Sequence, residues 1–204
     1  MEIQDDCDNA AYALKSEAER AKRLGMLAQP HIAPLISLID EIKIARGPDC
    51  AIPFFDPCDG GMLAKGLILL ESPGNKAITS GFLSRNNRDQ SANNMRDLLS
   101  KAEIDRRATL LWNIVPWYLG GPPMLHEIIE ALPYLKSLIG MLTELRVVVL
   151  VGVKASELAL NIAKFTSVPI IKSFYPSPRN FKTRPYLREQ VQQHYIEAAN
   201  LISE

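Results

Sequence analysis

Apolar runs that stop abruptly in polar residues constrain this chain more than any other feature. Gly66-Leu67-Ile68-Leu69-Leu70 ends at Glu71-Ser72-Pro73-Gly74. Leu110-Leu111-Trp112 meets Asn113 before Ile114-Val115-Pro116-Trp117 resumes. Val168-Pro169-Ile170-Ile171-Lys172-Ser173-Phe174 runs into Tyr175-Pro176-Ser177-Pro178-Arg179-Asn180. Short, nearly continuous apolar runs fit strands buried on both faces, as in a parallel sheet. Ligands bind outside the carboxyl ends of such strands. Polar islands in those places can therefore converge on one site.

The rest of the chain agrees with that sheet. Strands are expected at 67–70, 109–115, 147–151 and 169–174, with helices at 92–102, 124–142 and 155–165 between them. Pro133 should kink or split the middle helix, and Pro185 begins a last helix to about residue 202. Before the sheet, Asp8 or Asn9 is placed to cap a first helix carrying Leu14, Ala18, Ala21 and Leu24. A second helix follows with Pro34 in its first turn and Leu35, Leu38, Ile39 and Ile42 inward. Residues 47–61, rich in Pro, Gly and Asp, read as an irregular connection pinned by Phe54 and Phe55. The expected fold is α/β: a three-layer α/β/α sandwich with a central four-stranded parallel sheet. It forms a single domain over 1–204, with a helical segment at 1–46 packed on it.

The length, 204 residues, suits one such core, and 47% apolar with 23% charged residues is ordinary for a globular protein. A formal net charge of zero argues against coating nucleic acid by bulk charge. A local basic stretch remains at 172–188, where Lys172, Arg179, Lys182, Arg184 and Arg188 occur without Asp or Glu. Cys7, Cys50 and Cys58 make no disulfide or zinc pattern and read as free or buried thiols. No signal core or membrane-length apolar run is visible. The chain reads as cytoplasmic.

The islands carry chemistry of different specificity. Pro73 and Gly74 force a turn that presents Glu71 and Ser72, although a plain strand-ending turn would look the same. Asn113, alone among Leu, Trp, Ile and Val, offers a donor and an acceptor together, as needed to read an imide edge. The plainer alternative is a buried Asn bonded to a neighbouring loop. Tyr175-Pro176-Ser177-Pro178 is a turn stiffened by two prolines. Ser177 is a candidate phosphate contact, and Arg179 projects from the tip. Phe82, after Ser80-Gly81, can stack on a planar ligand or simply fill the core. His31, His126 and His194 fall in helical segments away from the islands. Glu103, Asp105, Arg106 and Arg107 read as a solvated turn.

In order and identity these pieces resemble the uracil-DNA glycosylase superfamily, from about Asp56 to the end of the chain. The family's Gly-Glu-Ala-Pro-Gly motif appears as Leu70-Glu71-Ser72-Pro73-Gly74. Its stacking aromatic falls at Phe82 and its base-reading asparagine at Asn113. Its His-Pro-Ser-Pro motif is Tyr175-Pro176-Ser177-Pro178, with Arg179 in the wedge position. Asp56-Pro57, Gly60-Gly61 and the stretch from Trp112 to Tyr118 look like a bacterial uracil-DNA glycosylase-like group. The chain departs from the family at Ser72, where some branches carry Asp or Asn, and at Tyr175, where a histidine supports the departing base. The branch with the Glu motif usually holds an iron–sulfur cluster on four cysteines; with three scattered cysteines, no cluster, metal or other cofactor is expected here.

The resemblance implies a hydrolase that flips uracil, or a related deaminated base, out of DNA and cleaves its N-glycosidic bond. Glu71, Ser72 and Tyr175 would be catalytic, and Phe82 and Asn113 would bind the base. Ser177, Arg179, Asn180, Lys182 and Arg184 would hold DNA. A monomer with no membrane partner is expected. Three alternatives stay open: excision of another base such as hypoxanthine or xanthine, lesion binding without excision, and a generic nucleotide or phosphosugar binder. The last lacks a glycine-rich phosphate loop after Gly74, where Asn75-Lys76-Ala77 follows.

Overall fold

The computed structural model describes residues 7–204. A short 3-10 turn at Ala13–Lys15 leads into α1 (Glu17–Gly25) and α2 (Ala33–Arg46). Ser16, rather than Asp8 or Asn9, caps α1 by accepting from the Glu19 N–H. Asp8 is occupied closing its own turn, accepting from the Ala10 N–H at 2.8 Å. α2 buries Leu35, Leu38, Ile39 and Ile42 on one stripe, as their spacing requires.

Next come β1 (Phe54–Phe55), β2 (Gly66–Leu70), α3 (Asn75–Ser80), β3 (Phe82–Leu83), α4 (Gln90–Lys101) and β4 (Thr109–Asn113). The chain continues through α5 (Leu125–Met141), β5 (Val147–Val151), α6 (Val153–Glu157) and α7 (Ala159–Ile162). It closes with β6 (Ile170–Ser173), α8 (Pro178–Thr183) and α9 (Tyr186–Ser203). The central sheet has four strands in the order β4-β2-β5-β6, every pair parallel. Every residue of β2, β4 and β5 is buried, which explains their unbroken apolar runs. Crossovers between parallel strands are right-handed as a rule, and the steps from β2 to β4 and from β4 to β5 run in opposite directions along the sheet, which puts α4 and α5 on opposite faces. α9 packs with α4, and α2 packs with α5. The result is the expected α/β/α sandwich on a four-stranded parallel sheet.

The strand order creates one special place. From β2 the chain moves outward to β4, then crosses back past β2 to β5 and on to β6. The neighbours β2 and β5 therefore send their following loops in opposite directions, and a crevice opens at their carboxyl ends.

Several expectations change. α5 stays one helix through Pro133. The carbonyl that Pro133 deprives of a donor belongs to Ile129, which is 57% exposed, so water can serve it. The helix expected at 155–165 is two short ones that meet at Leu158. Cys7 and Cys58 are joined by a disulfide, so only Cys50 is a free thiol. Arg106 belongs to no solvated turn: its side chain pairs with Asp56 at 2.6 Å and Asp59 at 2.8 Å. His31 lies in the turn before α2, buried, with Nε2 2.9 Å from the Pro57 carbonyl. His194 is not remote from the islands: Nδ1 is 3.1 Å from Ser173 Oγ, and its ring lies 6.1 Å from that of Phe174. Residues 47–61 are pinned as expected. Phe55 is fully buried and stacks on Trp112, ring centroids 3.7 Å apart.

Candidate active site

Glu71 leaves β2 at the crevice. Its backbone is fixed first: the Val115 N–H donates to the Glu71 carbonyl at 3.1 Å, just as Ile114 N–H donates to Leu70 at 2.8 Å. Its carboxylate Oε1 then accepts the Lys154 N–H at 2.9 Å, across the crevice from the loop after β5. Gly152 makes this possible. A Cβ there would lie 2.6 Å from Oε1, and its φ of +103° disfavours any side chain. Ser72 Oγ donates to the Gly121 carbonyl at 3.2 Å, which ties the first island to the loop beyond the second.

Asn113 is the last residue of β4, in register with Leu70, and is 2% exposed. Its Oδ1 is buried with no hydrogen-bond partner. A buried amide oxygen left wholly without a partner would cost about 1–3 kcal/mol, so this one is available to a hydrogen-bond donor from outside the chain.

Tyr175 follows β6. Asn94 Nδ2 donates to the Pro176 carbonyl at 2.9 Å, and Asn180 Nδ2 donates to the Tyr175 carbonyl at 2.8 Å. These bonds from α4 and α8 fix the third island. Burial pushes the Tyr175 phenol above its usual 10; the charges of Asp89 and Glu71 add to this, and the Ser91 hydroxyl opposes it. At neutral pH Tyr175 is therefore a neutral hydrogen-bond donor.

Glu71, Ser72, Asn113 and Tyr175 line one cavity of about 520 Å³ at the carboxyl ends of the strands. Phe82 does not join them. It is fully buried, its ring 6.3 Å from that of Phe54. In the β1–β3 pair Phe82 is in register with Phe54, and successive strand residues face opposite ways. Leu83, the next residue, turns to the cavity instead. Phe82, expected to stack on the base, is thus not brought to this cavity; Tyr175 is the aromatic residue that lines it.

The basic residues divide. Ser177 caps α8, accepting from the Asn180 N–H at 3.1 Å, and Pro178 occupies its first turn. Arg179 and Lys182 stand exposed on α8. Asn180 and Arg184 line a second cavity of about 620 Å³, which shares Glu71 and Tyr175 with the first.

Sequence reasoning missed Arg85 and Asn87, which line the first cavity while buried. Arg85 donates to Thr109 Oγ1 at 2.7 Å and faces Asp59 at 3.5 Å, and its Nε has no partner. Asn87 donates to the Phe82 carbonyl at 2.9 Å and leaves its Oδ1 unpaired. The basic and amide residues in Ser84-Arg85-Asn86-Asn87 were visible, but only folding shows that they turn inward. The cysteines offer no cluster site. Cys7 and Cys58 are bonded to each other, so a four-thiolate set cannot be assembled. Among the described residues, no helix is long and apolar enough to cross a membrane.

No curated protein matches the chain. Residues 49–200, which include the whole sheet and all three islands, match the family model described as the uracil DNA glycosylase superfamily. The chain belongs to the uracil DNA glycosylase superfamily.

Proposed function

We propose that this protein is a DNA glycosylase that flips uracil, or a related deaminated base, into the first cavity and hydrolyses its N-glycosidic bond, the opening step of base excision repair. One observation carries the reading: a buried amide, Asn113, whose Oδ1 has no protein partner, in a cavity that Glu71 and Tyr175 also line. An imide edge satisfies both ends of that amide. Cytosine presents the opposite donor and acceptor pattern there and would not.

The chemistry follows from what each group can do. As the C1′–N1 bond breaks, positive charge grows on the sugar and negative charge on the base. Glu71 is fixed by the Lys154 N–H, so its carboxylate is pre-positioned to stabilise the cation or orient the water that adds to C1′. Tyr175 keeps its proton and donates a hydrogen bond toward the departing anion. Water supplies hydroxyl to C1′, and its proton ends on the released base. Ser72, bonded to Gly121, shapes the turn that presents Glu71. Arg179, Lys182, Arg184 and Asn180 lie on the face where backbone phosphates would run, and Ser177 orders that face by capping α8.

The cavity, about 520 Å³, is lined by Leu111 and Arg85 as well. Its volume does not restrict it to a pyrimidine, which keeps, as a second reading, a purine such as hypoxanthine or xanthine. DNA as substrate is the reason to keep a cytoplasmic placement; the free-thiol argument for it fails at Cys7 and Cys58.

The test is base release from oligonucleotides carrying uracil, hypoxanthine or xanthine, with Asn113→Ala as control. Release of uracil that Asn113→Ala abolishes supports the proposal. Release of purines alone selects the second reading. No release of any base at high enzyme concentration refutes both.

A further inference from the structure

The second cavity has the makings of a strand site. It is lined by the carboxyl end of β6 with Lys172, Ser173 and Phe174, by Gly152 and α6, and by Asn180 and Arg184 of α8 and its C-terminal end. Phe174 is 41% exposed, although large aromatic rings usually bury that area. Its ring lies 6.1 Å from that of His194, and Phe174 lines the cavity. Lys172 and Arg184 line the same cavity, and neither makes an ion pair among the described residues. Its carboxylates are already engaged: Glu157 pairs with Lys154 at 3.1 Å, and Glu71 accepts the Lys154 N–H. Uncommitted cations beside an open aromatic face are the equipment of single-stranded nucleic acid sites, where bases stack and phosphates are neutralised.

The two cavities meet at Glu71 and Tyr175, which line both. A nucleotide with its base in the first cavity would set its sugar at that shared wall. The next nucleotide along the strand would then reach the second cavity.

We propose that the second cavity seats the neighbouring nucleotide of the same strand, unpaired, with its base on Phe174 and its phosphates on Lys172 and Arg184. A base can enter such a concavity only after leaving the duplex, so single-stranded DNA is the ligand. This inference rests on the glycosylase reading for its register between the cavities, but its binding test does not depend on base release.

The probe is a fluorescent uracil-free ten-nucleotide thymidine strand, read by anisotropy against a duplex of the same length. Wild type should bind the strand more tightly than the duplex. Phe174→Ala should weaken strand binding at least about fivefold, from the loss of one stacked base, with an unchanged melting temperature. Lys172→Ala with Arg184→Ala should lower the slope of log affinity against log salt by about 1.4, two phosphates' worth on a single strand. Equal affinity of wild type and Phe174→Ala, or duplex bound as tightly as the strand, overturns the proposal. Uracil release with a Phe174-independent strand affinity would leave the glycosylase reading standing and remove this site. Phe174-dependent binding without release of any base would do the reverse.

Discussion

Replacing Asn113 with Leu should make the protein more stable and nearly inactive. The side chain is 2% exposed and its Oδ1 has no partner, so the folded state carries the desolvation cost of that atom. The cost is about 1–3 kcal/mol. Turning the amide end for end would only leave an orphaned donor in the same place. Leucine keeps the branching at Cγ and removes the polar atoms. Its extra bulk can expand into the adjoining cavity rather than into β2. A net gain of about 1–2 kcal/mol is expected, and at about 2–4 °C per kcal/mol for a chain of this size, a melting temperature higher by about 2–8 °C. Base release should meanwhile fall by about 10²–10³, the loss typical of removing one preorganised hydrogen-bonding group. Thermal unfolding and single-turnover release, run on the same preparations, measure both. A variant that loses stability while retaining release within about threefold of wild type would show Asn113 to be a packing residue, and the argument from its orphaned oxygen would be wrong.

Other perturbations probe other parts of the machinery. Gly152→Ala drives a Cβ to within 2.6 Å of Glu71 Oε1, so release should drop about 10²-fold in a still folded protein, since misplacement by about 1 Å can cost that much; unchanged single-turnover rates would mean that the position of Glu71 does not matter. The Cys7–Cys58 bridge closes a loop with a sequence separation of 51, worth about 4 kcal/mol by chain entropy, so reduction or Cys7→Ser should lower denaturant stability by about that amount. Burial lowers the pKa of His31 from 6.5, although its bond to the Pro57 carbonyl opposes the shift, and burial likewise lowers that of His194. Both therefore protonate first in the unfolded chain. Stability should be full above pH 6.5 and fall as the pH drops below it, with a shallower fall in His31→Gln by urea titration. Asp56→Asn leaves Arg23 and Arg106 without the carboxylate they share, and should cost about 3–5 kcal/mol in the same assay.

What could be read from the sequence follows the range of the interactions involved. The sheet strands were legible because burial on both faces writes itself as continuous apolar residues. The second ran long, to Val115, because Ile114 and Val115 are apolar too; they continue along β2 by bonding to Leu70 and Glu71 beyond the ladder. The pair β1 and β3 has two residues in each strand and no local signal. That pairing decides which way Phe82 points, so its motif position does not reveal that it is buried away from the first cavity. α8 carried a readable start in Ser177-Pro178, a capping residue followed by proline, which the turn reading of the four-residue motif concealed. Asn113 was legible because a polar residue inside an apolar strand is anomalous wherever it occurs.

The least legible part of the site is what holds its far wall. Asp56 is fully buried between Arg23 of α1 and Arg106 before β4, and Asp59 between Arg106 and Arg85. Burial pushes Asp56 toward its neutral form, but the two guanidiniums outweigh it and hold its carboxyl below the usual range. Asp59 is held above that range: burial dominates there, and the Asp56 charge opposes its ionisation. Arg85 lines the first cavity, so this network joins the N-terminal helix to the wall of the candidate site. Gly60 and Gly61 allow it to close: a Cβ at Gly60 would lie 2.0 Å from the Arg107 carbonyl oxygen, and one at Gly61 2.1 Å from that of His31. A buried ionic network contributes little net stability over an apolar core, but losing one member is costly. Its use here is positional. The Asp56-Pro57 and Gly60-Gly61 pairs hold Arg85 and the far wall of the first cavity, while Glu71, Asn113 and Tyr175 line it from the strand ends and are the residues proposed to meet the substrate.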